Sequence, residues 1–244
     1  AQTGGQIDTV MHESRLFPPR PSFADKARIK SLDEYEGLWS KAASDPATFW
    51  GELAREELHW FTPFTDVLNW NEPFAEWFVG GMTNASYNCL DAHLEAGQGD
   101  RVAILWEGEP GDKRKLTYRE LHREVSKFAN CLKSLGIGEG DVVSIYMPMV
   151  PELAIAMLAC ARIGAIHSVI FAGFSAEAIA DRNNDAQAKL QITADAAWRR
   201  GKALALKQTV DEALANSPTL KHCIVLDRVN AAIEMKAGRA HWWH

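Results

Sequence analysis

Two kinds of apolar pattern divide the sequence. From Arg101 onward, short continuous apolar runs ("RVAILWEGE", "DVVSIYMPM", "AIHSVIF", "KLQITA" and "HCIVLD") are separated by stretches whose apolar residues recur at steps of three and four. The runs predict strands and the spaced stretches predict helices. Leu121, Val125, Phe128, Leu132 and Leu135 form one helical stripe. Thr117 and Glu120 supply a capping box at its start, and Gly136 a left-handed stop at its end. "ELAIAMLACARIG", apolar on nearly all faces and closed by Gly164, predicts a second helix, and two more are predicted from Ser175 and over "ALKQTVDEALANS". Strands apolar on both faces and alternating with helices predict an α/β fold, a mostly parallel sheet with helices on both faces.

Before this region the texture differs. Residues 1–30 are polar and carry Pro18, Pro19 and Pro21, which predicts an extended or disordered arm. Residues 31–98 form a Trp-rich region in which the first helix begins at Ser31. Its amphipathic pieces "EYEGLWSKAA", "ATFWGELAREELHWF" and "PFAEWFVGG" predict irregular helices clamped by Trp39, Trp50, Trp60, Trp70 and Trp77 onto a larger body. Residues 99–244 hold the alternating strands and helices. The last segment, "GRAHWWH", follows a strand with no capping residue or polar tail, which gives the expectation of a truncated chain. In such a chain, exposed strand edges would favour self-association, with Trp242 and Trp243 near the exposed side.

Composition narrows the function classes. The 244 residues are 47% hydrophobic, enough for a sizeable core. Against 32 Asp and Glu stand 26 Lys and Arg, a net charge of −6, so no global field favours nucleic acid or an anionic membrane. The four cysteines, Cys89, Cys131, Cys160 and Cys223, are widely spaced without a C-x-x-C pair, which fits a reduced, cytoplasmic protein. The longest apolar stretch, 153–163, is too short to span a bilayer, and the start has no secretory apolar region.

Candidate chemistry sits at the carboxyl ends of two predicted strands, where an open parallel sheet binds its ligands. In "FAGFSAEA", Gly173 would let a phosphate or a ligand approach the backbone, and Ser175 could cap the following helix. Arg199, Arg200 and Lys202 follow "KLQITAD" within a few residues. A plain turn and a solvated cationic loop account for the same residues. His167, on an apolar strand without acidic or cysteine partners at metal spacing, reads as a core histidine, as do His93, His122 and His222. No G-x-S-x-G, H-E-x-x-H or G-x-x-x-x-G-K-[ST] motif is present, and no catalytic or metal residue is assigned.

Longer blocks carry a resemblance. "YMPMVPELAIAMLACARIGAIHSVIFAGFSAEAIADR", with "NASYNCLDAHL" before it and "LQITADAAWRRGKALALKQTVDEAL" after it, resembles the AMP-forming acetyl-coenzyme A synthetases. "FWGELAREELHWFTPFTDVLNWNEPFAEWFVGG" is similar to the extra N-terminal region of that family. The resemblance implies part of the large domain of the adenylate-forming fold. It implies an activity that joins acetate to ATP as acetyl-adenylate, with magnesium accompanying the ATP, and then passes the acetyl group to coenzyme A. It also implies that Gly173, Arg199 and Lys202 contact the coenzyme A nucleotide, the cations facing its phosphates. Arg200 is an adjacent candidate for the same role.

Departures from the family pattern are Lys202 in place of arginine, Ala172 in place of a first turn glycine, and Asn183 in place of an apolar residue. The resemblance further implies that the phosphate loop, acyl pocket, ribose-binding aspartate, hinge and C-terminal-domain lysine would follow residue 244, so that this piece alone would be inactive. The rest of the large domain and the C-terminal domain would then be its partners. Two alternatives stay open: a propionyl or other short-chain acyl-coenzyme A synthetase, and a non-catalytic coenzyme A-binding or regulatory module.

Overall fold

The computed structural model describes residues 17–244, and the chain forms two units. The smaller takes in the described residues up to Glu57 together with Phe64–Val79, and the larger takes in Leu58–Pro63 and Gly80–His244.

In the smaller unit a single turn, α1 (Pro21–Ala24), has proline in its first turn, where the missing N–H costs nothing. The described part of the predicted arm is therefore not extended throughout, and residues 1–16 lie outside the described residues. Helix α2 (Leu32–Ser44) starts at the expected cap, the Ser31 hydroxyl accepting from the Glu34 amide at 3.1 Å. Helix α3 (Pro46–Glu57) follows. Strands β1 (Asp66–Asn71) and β2 (Phe74–Val79) then form an antiparallel hairpin. A Cβ on Gly51 would lie 2.6 Å from Val67 Cγ2, so α3 meets the hairpin at its glycine. Arg55 lies over the Phe64 ring at 4.6 Å.

Two expectations for this region are corrected. "PFAEWFVGG" is not helical, because its Phe74, Trp77 and Phe78 belong to β2. Four of the five tryptophans are not buried clamps either: Trp39 and Trp70 are 64% and 61% exposed and Trp50 and Trp77 are exposed as well, whereas Trp60 is half-buried.

In the larger unit a π-helical turn, Tyr87–Asp91, leads into α4 (Ala92–Glu95). Strands β3 (Val102–Glu107) and β4 (Lys113–Thr117) pair antiparallel in a hairpin of their own. Helix α5 (Tyr118–Ser134) begins with the expected box, in which Glu120 N–H donates to Thr117 Oγ1 at 3.2 Å and Thr117 N–H to the Glu120 carboxylate at 2.8 Å. Its stripe of Leu121, Val125, Phe128 and Leu132 is buried, and each such side chain contributes about 1.5–3 kcal/mol. Gly136 follows at φ 79.

Next come β5 (Val142–Tyr146), α6 (Pro151–Arg162), β6 (Ile166–Val169), α7 (Ala176–Asp185) and β7 (Leu190–Ala194). A short antiparallel hairpin, β8 (Ala197–Arg199) and β9 (Lys202–Leu204), precedes α8 (Leu206–Leu214), β10 (His222–Leu226) and β11 (Ala240–Trp242). The main sheet has the order β11-β10-β7-β5-β6, and every pair in it is parallel. With the strand order observed, the right-handed rule for parallel crossovers puts α6, with α5 packed on it, on one face and α7 and α8 on the other. Every residue of β7 is buried, as a strand covered on both faces requires.

"AIHSVIF" was expected to be a buried strand, but β6 is an edge: Ile166 is 54% and Val169 49% exposed, and His167 is half-buried. The opposite edge is β11. Trp242 is exposed as expected, but Trp243 stacks on Phe128 with ring centroids 3.8 Å apart. Asn183, the polar departure in α7, is buried and donates to Gln191 Oε1 at 3.1 Å, while its own Oδ1 is left without a hydrogen-bond partner.

Candidate functional site

Strand β5 continues through α6 to β6 on one side, and β7 through α8 to β10 on the other. The crevice beyond the carboxyl ends of β5 and β7 is therefore a topological switch point, where connections part and leave room for a ligand. Tyr146 ends β5, the turn at 171–174 follows β6, and the β8/β9 hairpin follows β7.

The hairpin explains how the cations are presented. Its two central residues, Arg200 and Gly201, both have positive φ, 53° and 73°, the pattern of the primed turns that match strand twist. Arg199 and Lys202 stand opposite each other in its register, so their side chains share a face. The Gly201 amide donates to the Glu109 carboxylate, anchoring the tip. Sequence reasoning expected only a cationic loop. Three-residue strands carry no readable periodicity, and the one signal was the glycine after Arg200.

Gly173 has φ 151°, a conformation that favours glycine. A Cβ there would lie 2.5 Å from Arg199 Nη1 and 3.2 Å from Phe171 Cε1. The φ of Gly173 is thus what favours glycine here, and the space left by its missing Cβ is met by the Arg199 guanidinium. Arg199 Nη1 donates to the Ala172 carbonyl at 3.4 Å, and its guanidinium lies 5.4 Å from the Phe171 ring centroid. Ser175 caps α7 as expected, accepting from the Ala178 amide at 3.3 Å.

Gly173, Arg199, Arg200 and Lys202 all line one open cavity of about 630 Å³, together with Tyr146 and Phe174. Among the described residues no acidic side chain lines it. Among the described residues no ion pair engages Arg199, Arg200 or Lys202. The Tyr146 hydroxyl accepts from the Gly173 amide and donates to the Phe174 carbonyl, each at 3.1 Å. Burial pushes the Tyr146 phenol up, opposed by the Gly173 amide and by Arg199. Three cations without an ion pair among the described residues, beside a turn without a Cβ, present the kind of donors that a polyanion such as a phosphate ester requires.

A second cavity of about 360 Å³ lies against the first, and Arg199 and Leu204 line both. Its walls are largely apolar, with Met147, Phe171 and Trp198 among them. Sequence reasoning missed two of its members. Trp106 donates through Nε1 to the Met149 carbonyl at 2.7 Å, and Arg228 stacks over Trp106 at 5.1 Å while bonding Asp112. Below them the buried Asp195 carboxylate accepts from the amides of Arg228 and Ala231, each at 2.8 Å, and fixes the loop after β10.

The histidines keep structural surroundings. His122 Nε2 lies 3.1 Å from Asp91 Oδ1, His93 stacks on Tyr118, and His222 Nδ1 lies 3.2 Å from His241 Nε2 across β10 and β11. Among the described residues no cluster of three or more His, Cys, Asp or Glu side chains could hold a metal, no helix is long and apolar enough to cross a membrane, and all four cysteines are free.

Comparison with known proteins adds to this geometry. Residues 91–243 match the family described as AMP-binding enzyme, and residues 35–89 match the acetyl-coenzyme A synthetase N-terminus. Among curated relatives, the acetyl-coenzyme A synthetase of Rhodopirellula baltica is 59% identical over 100% of this chain and 37% of its own length. That of Chlorobaculum tepidum is 53% identical with the same two coverages, 100% and 37%. The chain thus spans about 37% of the length of these relatives. Among solved structures, acetoacetyl-CoA synthetase from Streptomyces lividans superposes with a TM-score of 0.78 at 28% identity, over 86% of this chain and 32% of that one.

Proposed function

Given that the chain belongs to the AMP-binding enzyme family, matched over residues 91–243, we propose that it supplies the coenzyme A nucleotide site of an AMP-forming acetate–coenzyme A ligase. The observation that carries this reading is the convergence of Gly173, Arg199, Arg200 and Lys202 on one cavity without an acidic partner. In the complete reaction acetate would attack the α-phosphorus of ATP, releasing pyrophosphate and leaving acetyl-adenylate. The thiol of coenzyme A would then displace AMP from the acetyl carbon. This chain's part would be to hold the phosphates of the second substrate, Arg199 and Lys202 acting as charge-assisted donors from the β8/β9 hairpin. Magnesium would come with the ATP, and none of the described side chains is assigned to it. Acetate, rather than a longer acyl group, is favoured by relatives named acetyl-coenzyme A synthetases at 59% and 53% identity. Free thiols at all four cysteines suit a cytoplasmic location.

The test is calorimetric titration of the chain with coenzyme A and with dephospho-coenzyme A, which lacks the 3′-phosphate. Binding that weakens at least tenfold when that phosphate is absent supports the reading. Equal affinity for the two, or no binding by either, overturns it.

A further inference from the structure

The buried hydroxyl of Tyr146 spends its capacity on one turn. Its proton goes to the Phe174 carbonyl, and one lone pair takes the Gly173 amide, each at 3.1 Å. With the donor used, the hydroxyl has no hydrogen to offer an anion in the cavity that its side chain lines. The turn it holds has one internal backbone bond, Phe174 N–H to the Phe171 carbonyl at 3.2 Å. It also contains Gly173, whose φ of 151° is one of many that glycine could adopt. Arg199 in turn depends on the same residues. Its contacts are the Ala172 carbonyl, the Phe171 ring and the space left by the missing Cβ of Gly173, and among the described residues no carboxylate pairs with it.

The geometry points to Tyr146 as a positioning residue for the anion site: its hydroxyl fixes the 171–174 turn, and the turn fixes the guanidinium of Arg199 toward the cavity. This inference rests on the reading of the cavity as a coenzyme A nucleotide site. It adds a residue that touches neither the ligand nor Arg199 through its hydroxyl. Removing the hydroxyl leaves the Gly173 amide and the Phe174 carbonyl facing an aromatic ring. The turn satisfies them only by moving toward solvent, which removes the platform under Arg199.

The experiment compares the 244-residue chain with its Tyr146→Phe, Arg199→Ala and doubly substituted forms, at a temperature where circular dichroism shows each folded. The probes are coenzyme A and adenosine 3′,5′-bisphosphate by calorimetry, with backbone amide exchange read at Gly173. Tyr146→Phe should weaken probe binding about tenfold, speed Gly173 exchange, and add nothing to the loss in the Arg199→Ala background. A purely structural role would lower the melting temperature but leave the affinity of the folded protein unchanged, and that outcome overturns the inference. Unchanged Gly173 exchange, or losses that add fully in the double variant, also overturn it. Faster Gly173 exchange in a chain that binds neither probe overturns the coenzyme A reading while supporting the Tyr146 contact to the turn. The unsubstituted chain gives a check that does not depend on any variant folding, because a Gly173 amide exchanging at the rate of an unprotected amide would by itself remove the basis of the inference.

Discussion

Arg162 and Arg199 lie in the same unit and carry the same charge, but their surroundings differ. Arg162, in the last turn of α6, is three-quarters buried and makes a two-pronged pair with Asp91 at 2.7 and 2.8 Å, with His122 at 3.2 Å and Ser86 behind it. Arg199 is exposed, touches only a carbonyl and a ring face, and shares its hairpin with two more unpaired cations. The first arrangement uses charge to join the π-helical turn to α5 and α6. The second leaves its charge without an ion pair in an open cavity. Cations that a chain does not pair itself are the ones to test for a ligand.

Removing Asp91 should produce the largest effect. Asp91→Ala leaves Arg162 three-quarters buried without its carboxylate, and the unfolding free energy should fall by about 2 to 3 kcal/mol in a urea titration. Coenzyme A affinity of the folded protein should stay within about twofold, since the pair takes no part in the cavity. A large loss of affinity at unchanged stability would show that the two groups of cations are not separate.

Arg199→Ala should reverse that pattern. Stability should change by less than about 0.5 kcal/mol, as for an exposed side chain whose contacts are one long hydrogen bond and a ring face, whereas the coenzyme A affinity should fall by about 1.5 to 3 kcal/mol, roughly ten- to a hundred-fold. On the proposed reading, the same substitution in a complete ligase should raise the Michaelis constant for coenzyme A and leave acetate-dependent pyrophosphate exchange nearly intact. Equal loss of both half-reactions would detach Arg199 from the second substrate.

Acid should separate the two groups as well. The Arg162 guanidinium holds the Asp91 carboxyl below its ordinary value of 3.8, with His122 adding to the effect against the opposing influence of burial. A folded-state value below the unfolded one contributes stability that is present above pH 3.8 and is lost as the pH falls through the lowered value. Asp91→Asn should therefore flatten the stability curve in that acid window, by less than the alanine substitution costs at neutral pH. Arg199→Ala should leave the curve unchanged in shape. An unaltered acid limb in Asp91→Asn would place the titration on another group.

How much of this was legible in the sequence follows from how local each feature is. Helix α5 was fully legible, because its stripe, its capping box and Gly136 all lie within one stretch of chain. The convergence of Gly173 with the cations was legible as two features at the carboxyl ends of strands, since a parallel sheet brings such ends to one edge. Strand β2 was misread because Phe74, Trp77 and Phe78 fall at helical spacing, although the turn at Pro73 fixes them in a hairpin. The edge position of β6 was hidden, since strand order is a property of the whole sheet and not of the apolar run. The pair of Asp91 and Arg162 joins residues 71 positions apart, and nothing in either neighbourhood announces the other. The closeness of Gly173 to the Arg199 guanidinium was not legible, because that side chain lies 26 residues further on and no local pattern contains it.

The smallest effect tests how the hairpin uses its second opposed cation. Lys202 stands opposite Arg199 in the register, so both side chains leave the same face and both line the cavity. An ammonium offers a compact point charge, whereas a guanidinium offers a planar fork that can meet two phosphate oxygens at once. Lys202→Arg keeps the charge on an exposed strand and should leave stability unchanged within about 0.5 kcal/mol. If Lys202 faces a phosphate at bonding distance, the fork should tighten coenzyme A binding by about 0.5 to 1 kcal/mol, a two- to five-fold gain in calorimetry. The gain should vanish for dephospho-coenzyme A if the 3′-phosphate is the group met, and persist if the pyrophosphate is. No gain with either ligand would mean that Lys202 acts only through the general field of the hairpin, leaving Arg199 and Arg200 as the residues that bond the anion directly.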